Sequence, residues 1–443
     1  MYLITNGKVI TRDQENPYFN DGAVVIDNNK ILEVGERLLL KEKYPNANII
    51  DAHGNLIMPA FINAHTHIYS ALARGLSING HNPKNFYEIL DGMWWKLDHR
   101  LSLSATKASA WATYMECIKN GVTTVFDHHA SFGEITGSLF EISNTAQDIG
   151  IRSCLCYEVS DRDGKEKCDL SIKENEEFIK YTLKENNPML KAMFGMHAPF
   201  TISDETMYKC LEANNNMTGF HIHVSEGTND IEDTLAKYNK RPVERLRDMN
   251  ILGEKTILGH CIHLNELEMD LVKESDSMVV NNPQSNMGNA VGCSPVLEMF
   301  KKDIMLGLGT DAYTHDMLES LKTVLAIQRH NAKAPNVAWN EATTMLFENN
   351  PKITARYFDE PLGILKAGAS ADVIVMEYKP YTPLSDANID GHILFGMNGR
   401  QCITTICNGK VLMQDRKFTN IDEDEINSKI CEEAKKLWKS ING

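Results

Sequence analysis

The chain has 443 residues, 42% hydrophobic and 24% charged, enough to bury a large core within an ordinary globular composition. Its net charge of −15 and pI of about 5.5, with no basic stripe, exclude nucleic acid and anionic membrane as expected partners. No apolar run reaches the roughly 20 residues of a membrane span.

The opening Met-Tyr-Leu-Ile-Thr-Asn-Gly lacks the regions of a signal peptide. The 10 cysteines are scattered without a C-x-x-C pair, which suits reduced thiols in a long chain. A cytoplasmic location is expected. Segment 1–58 reads as short strands with turn punctuation: Tyr2–Thr5 runs into Asn6-Gly7, and Ala23–Ile26 and Lys30–Val34 flank Asp27-Asn28-Asn29. Such dipeptides are hairpin signals. The same texture returns at Ala371–Met376 and Thr404–Leu412. Isolated hairpins are marginal, so segments 1–58 and 366–420 are expected to form one small β-sandwich domain.

Between them, over 59–365, short β-branched runs ending in polar residues alternate with longer helical patterns. The runs are Leu56–Asn63, Thr123–Asp127, Arg152–Glu158, Ala192–His197, Phe220–Val224, Thr256–His260, Ser277–Asn281 and Ile304–Leu308. Eight strand–helix units predict an α/β fold of the (β/α)8 TIM-barrel type, with its chemistry at the C-terminal strand ends. A doubly wound sheet is the second choice, but no Gly-rich phosphate turn follows any run. Segment 421–443, rich in Glu, Lys, Ile and Leu, predicts a terminal surface helix.

Nearly every run ends in a group that a metal ion or polar substrate could use. The first leads into His65-Thr66-His67, whose imidazoles share one face of a strand because side chains two apart do so. The second ends Asp127-His128-His129, the fourth His197-Ala198-Pro199, and the fifth His221-Ile222-His223-Val224-Ser225-Glu226. The sixth ends Gly259-His260-Cys261 and the eighth Gly307-Leu308-Gly309-Thr310-Asp311. One histidine at a strand end is usually structural; this many at one face points to a site. A set of three histidines and an aspartate suits Zn²⁺ or Fe²⁺. His221 shares the parity of His223, so the residues alone leave a choice between them.

The ordered motifs P-A-F-I-N-A-H-T-H, H-V-S-E, G-H-C, N-P-Q-S-N-M and G-L-G-T-D, with the closing G-I-L-K-A-G-A-S-A-D-V-I-V and C-N-G-K-V, resemble the amidohydrolase superfamily. Within it they are similar to the chlorohydrolase/deaminase branch and its SsnA-like aminohydrolases. The resemblance implies His65, His67, His223 and Asp311 as metal ligands, the H-x-x-E spacing selecting His223. It implies Glu226 as proton shuttle, Asp311 as acceptor of the water proton, and His260 beside the water or substrate. The lysine that bridges two metals in some relatives would end strand four. That strand ends Gly195-Met196-His197-Ala198-Pro199, so one divalent ion is expected, zinc favoured over iron.

Substrate contacts are expected from His197, Asn281, one of His128 and His129, and Arg74 if the substrate carries an anionic group. Asn281-Asn282-Pro283 stands where the family usually has His-Asn-Pro, and an asparagine cannot carry a proton at pH 7. Trp94-Trp95 reads as packing. The expected reaction is hydrolytic release of ammonia from a small nitrogen-rich, purine-derived compound, in a homodimer or higher homo-oligomer. Cyclic-amide ring opening and a non-catalytic binding barrel are the alternatives.

Overall fold

A computed structural model describes all residues from Met1 to Gly443. Eight parallel strands succeed one another around a barrel: β1 Phe61–Thr66, β2 Val122–His129, β3 Arg152–Tyr157, β4 in two pieces at Leu190–Ala192 and Phe194–Met196, β5 Phe220–Val224, β6 Ile257–His260, β7 Met278–Asn281 and β8 Leu306–Leu308. They pair as two arcs, β1 to the first piece of β4 and the second piece of β4 to β8. One seam is joined where His197 N donates to Val159 O at 2.9 Å. The other closes where Thr310 N and Asp311 N both donate to His65 O, at 2.9 and 3.1 Å. Gly309 makes that closure possible, because a Cβ there would sit 2.8 Å from the same carbonyl oxygen.

The run Leu56–Asn63, expected as one barrel strand, is divided. Leu56–Pro59 pairs antiparallel with Val373–Met376, and only from Phe61 does the chain enter the barrel. Pro59 lacks the backbone N–H that would continue a ladder, which places the break. The strands of the two chain ends form one nine-stranded sheet containing Tyr2–Ile10, Tyr18–Asp27 and Lys30–Glu36 from the start, and Cys402–Cys407 and Lys410–Gln414 from the end. Ile4, Val24, Ile26, Ile57, Val373 and Ile406 pack together as its own small core. Arg152, at the start of β3, ties barrel to sheet. It donates to both Asp372 carboxylate oxygens, at 2.6 and 3.1 Å, and to Ser370 and Thr124, all buried.

Inside the barrel, the base is apolar. Ile62, Ala64, Phe126, Cys154, Cys156, Met193, Ile257, Met278 and Val280 meet there, drawn from six of the strands or their ends. Ile62 and Ala64 have the opposite parity to His65 and His67, yet all four reach the interior. The ladder between β1 and β2 explains it: Asn63 faces Val125 but Thr66 faces Asp127, so β1 holds one extra residue. A bulge of this kind re-aims the side chains beyond it. Below it β1 fills the barrel with hydrocarbon; above it β1 presents imidazoles.

The last helix, Glu423–Asn442, starts at an Asp422 cap that accepts from Asp424 N and Glu425 N. It lies on the helix Leu103–Lys119, with Leu437 buried and Trp438 Nε1 donating to Leu72 O at 2.7 Å. No helix is long and apolar enough to cross a membrane, and all ten cysteines are unpaired.

Candidate metal centre

At the C-terminal ends of the strands His65, His67, His223, His260 and Asp311 converge. Nitrogens of His65, His67 and His223 lie within 4.8 Å of one another, as do ligand atoms of His65, His260 and Asp311. Backbone conformation is unusual there. Ser225, His260, Cys261 and Asp311 all have left-handed φ, between 49° and 68°, although none is glycine. Strain of this kind persists where the surroundings over-determine it and gathers at functional sites.

Each imidazole is anchored through Nδ1 so that Nε2 is left for the centre. His67 donates from Nδ1 to His128 O at 2.6 Å and His223 to His197 O at 2.9 Å. Nδ1 of His65 lies 2.8 Å from Nε2 of His221. These outer contacts fix tautomer and ring angle, as around metal ligands generally. The freed nitrogens then face one another: His67 Nε2 is 3.1 Å from His223 Nε2 and 3.0 Å from Asp311 Oδ1, while His65 Nε2 is buried without a partner. Lone pairs crowded in this way are reconciled only by a positive charge among them. Burial drives His65 and His223 well below the usual histidine range, so both are neutral and free to act as ligands. Burial opposes a charge on His67 too, but Asp311 outweighs it and raises His67 to about 9. Burial alone would raise Asp311; His67 and His260 instead hold it well below the usual carboxylate range. The donor set and its electrostatics therefore fit a divalent cation held by imidazole and carboxylate.

His260 resembles the other three in its anchoring, with Nδ1 2.8 Å from Asn286 Oδ1. Its Nε2 has no hydrogen-bond partner and lies 3.5 Å from both Glu226 Oε2 and Asp311 Oδ2. A protonated ring here would donate to either carboxylate or to a group between them. Glu226 follows the strained Ser225 and is steadied by Asn289, whose Nδ2 donates to Oε1 at 3.4 Å. Burial pushes its carboxyl up to about 7, against the pull of His260. A carboxyl poised near neutrality suits both taking and giving a proton.

A narrow cavity of about 40 Å³ lies over this centre, room for about two or three water molecules. His67, His223, Glu226 and Asp311 form its floor and Tyr69, Phe86, Leu90, Trp94 and Tyr313 its walls. Phe86, Leu90 and Trp94 are four residues apart along one helical stretch, which puts them on one face. Trp94 is thus a cavity wall as well as packing. A larger cavity of about 420 Å³ adjoins the narrow one and shares Trp94, Asn289, Ala312 and Tyr313 with it.

Among the expected substrate contacts, His197 lines the cavity. Of the histidine pair, His128 is the inward one, its ring 4.5 Å from that of His223; His129 packs edge-on against Tyr69 and Tyr157. Asn281 does not line the cavity. It accepts from Asn286 Nδ2 at 3.0 Å and so supports the partner of His260. Arg74 is not brought to the site: its side chain is 64% exposed and pairs with Glu116 at 2.7 Å. Sequence reading passed over Glu158, Ser285, Asn286 and Asn289. Ser285 donates to Asp311 Oδ2, and it stands with Asn286 in the N-P-Q-S-N-M motif, which was the available signal. Glu158 closes the third run and shows no motif.

The model of the amidohydrolase family matches residues 56–412. The 5′-deoxyadenosine deaminase of Methanobrevibacter smithii is 30% identical over 415 residues, covering 92% of each chain. The 5-methylthioadenosine/S-adenosylhomocysteine deaminase of Thermococcus sibiricus is 31% identical over 418 residues, covering 93% of each. Among solved structures, an adenosine deaminase from Xanthomonas campestris with bound zinc superposes with a TM-score of 0.86 at 18% identity, over 99% of this chain and 98% of that one. E. coli guanine deaminase gives 0.79 at 20% identity, over 94% and 100%.

Proposed function

The chain belongs to the amidohydrolase family, and on that premise we propose that it is a zinc-dependent aminohydrolase releasing ammonia from a small purine-derived compound. It is a hydrolase acting on carbon–nitrogen bonds other than peptide bonds. One observation carries the finer reading: three neutral or Asp-paired imidazoles and Asp311 converge beside a carboxyl raised to about 7. One zinc ion per chain, held by His65, His67, His223 and Asp311, is part of the proposal. The histidine-rich donor set and the absence of a lysine at the end of β4 support it.

When bound, a divalent cation supplies Lewis acidity and brings the pKa of water from 15.7 towards roughly 7. The chain's own residues do the rest. Ionised Glu226 accepts a proton at its carboxylate, with Asp311 beside it as a second acceptor. Glu226 then delivers that proton to a ring nitrogen of the substrate; the second proton, given up by the attacking oxygen to Asp311 or Glu226, passes to the amine, which leaves as ammonia as the C–N bond breaks. His260, between Glu226 and Asp311, holds the attacking water or the developing oxygen charge. Tyr69, Trp94 and Tyr313 exclude bulk water and bracket a planar ring.

Two relatives are named for deaminating 5′-deoxyadenosine and 5-methylthioadenosine or S-adenosylhomocysteine, which supports a purine-derived substrate. A homodimer or higher homo-oligomer belongs to the same proposal. The test is ammonia release by zinc-loaded protein from a panel headed by 5′-deoxyadenosine, 5-methylthioadenosine, adenine and guanine. Release with any of these, lost in Glu226→Gln, is expected. Release from none of them, with ring opening of a cyclic amide instead, would replace the proposal.

A further inference from the structure

Beside the metal centre the end of β3 carries a carboxylate that the chemistry above leaves unused. Glu158 is 3% exposed and lines the cavity. Its neighbours stand off: His128 Nδ1 at 3.5 Å, Arg162 Nη2 at 3.7 Å and His197 Nε2 at 3.9 Å. All exceed the usual hydrogen-bond range. Arg162 Nη2 is already engaged by Asp98, and its guanidinium stacks on Phe132 at 4.2 Å.

Neither imidazole, when neutral, offers Glu158 a proton. His128 Nε2 lies 3.0 Å from Met196 O and 3.1 Å from His221 O, so its N–H is there and Nδ1 is a lone pair. That Nδ1 is buried without a partner. His197 Nδ1 is 2.8 Å from the Thr201 hydroxyl, whose own proton goes to Ala198 O. The hydroxyl oxygen therefore accepts, and His197 Nε2 is left as a second lone pair. A carboxylate and two nitrogen acceptors thus converge on one corner. Buried acceptors without donors are costly; a proton on His128 would reach Glu158 only across 3.5 Å, whereas the N–H groups of a ligand in the cavity can approach to full hydrogen-bond distance. No lysine or arginine lines the cavity, so no such side chain is there to receive an anion.

We propose that Glu158 and His197, backed by the buried His128, form a specificity corner that binds N–H donors of an amidine- or amino-bearing, preferably cationic, substrate and selects against anionic ones. The inference rests on the aminohydrolase reading in one respect. A ligand atom of Glu158 lies within 4.8 Å of an imidazole nitrogen of His223, so the group it reads is at or next to the reacting carbon rather than a ring away. The trio His128, Glu158 and His223, whose ligand atoms lie within 4.8 Å of one another, is not a second metal site. His223 Nδ1 is committed to His197 O, and its one free nitrogen already faces His67.

The test is calorimetric binding of benzamidinium and of benzoate to zinc-loaded wild type and Glu158→Gln, with zinc content measured in both. Losing one charge-assisted hydrogen bond should weaken benzamidinium about tenfold or more, while benzoate binds no worse or better. A loss of packing would weaken both ligands together, and that result overturns the inference. So does a wild type that prefers benzoate, or a second zinc ion that disappears in the variant. If Glu158→Gln does not fold, Glu158→Asp, which withdraws the carboxylate by one methylene, must still weaken benzamidinium selectively; unchanged affinity there overturns the idea. If the ligand pattern holds but the purine panel releases no ammonia, the substrate reading falls and the role of Glu158 stands.

Discussion

The support of His65 by His221 can be tested without touching any of the four ligands. His67 and His223 lean on backbone carbonyls, which substitution cannot remove. His65 alone leans on a side chain: Nδ1 to His221 Nε2 at 2.8 Å is the one hydrogen bond of its ring, and the residue is 0% exposed, so no water can substitute. Replacing His221 by Leu strands that N–H and frees the ring to turn. Outer contacts of this kind are worth roughly 10–100-fold in metal affinity, that is about 1.4–2.7 kcal/mol. The variant should therefore bind zinc 10–100-fold more weakly in competition with a chromophoric chelator. Its stabilisation by saturating zinc should shrink by the same free energy. His221→Gln, whose amide oxygen can accept from Nδ1, should recover part of the loss. An affinity within about threefold of wild type would show that the contact orients nothing. A loss far beyond 100-fold would make His221 itself a ligand.

Elemental analysis of metal-reconstituted protein should find one divalent ion per chain, and His65→Ala or Asp311→Ala should release it; two tightly held ions would contradict the ligand set. Glu226→Gln should keep the ion and lose roughly 10²–10⁴ in turnover. Because the ionised carboxylate takes the first proton, and burial lifts Glu226 to about 7, kcat/KM in wild type should rise with pH through that value. A flat profile from pH 5 to 9 would remove Glu226 from that role. His260→Ala should cut kcat about 10²–10³-fold at a metal content near one, whereas purification without metal would place His260 among the ligands. Arg152→Met leaves Asp372 buried without its partner, and urea titration should show a loss of about 3–5 kcal/mol; a change under 1 kcal/mol would mean that the barrel and the terminal sheet do not depend on this pair.

The parts of the site that could be read from sequence are those set by local spacing. His65 and His67 are two apart in a strand, and His223 and Glu226 are joined by one short turn, so their shared direction follows from backbone geometry alone. What could not be read depends on contacts between distant strands. The extra residue in β1 that turns His65 inward above Ile62 and Ala64 shows only in its pairing with β2. The choice of His128 over His129 is set by the same ladder, since adjacent residues necessarily face opposite ways. The division of Leu56–Asn63 between two sheets had a local cause in Pro59, yet the strand that takes up Leu56–Pro59 lies more than 300 residues away.

Glu158 fails to announce itself for a different reason. A single glutamate at a strand end has no motif, and most such residues are solvated or paired. Its meaning comes from three independent commitments elsewhere. His128 has given its proton to the Met196 and His221 carbonyls, His197 to Thr201, and Arg162 is shared with Asp98. Each is ordinary alone, and together they leave an acidic corner with no donor closer than 3.5 Å. Glu226 and Asp311, the proposed proton-transfer groups, and the corner at Glu158 border one narrow space. A substrate held there by its N–H groups at Glu158 would present its adjacent carbon to the metal side, where His223 stands between the two. Selection of the nitrogen-rich group and attack on its carbon would then depend on one geometry, so a substitution at Glu158 should change which compounds react without changing how they react.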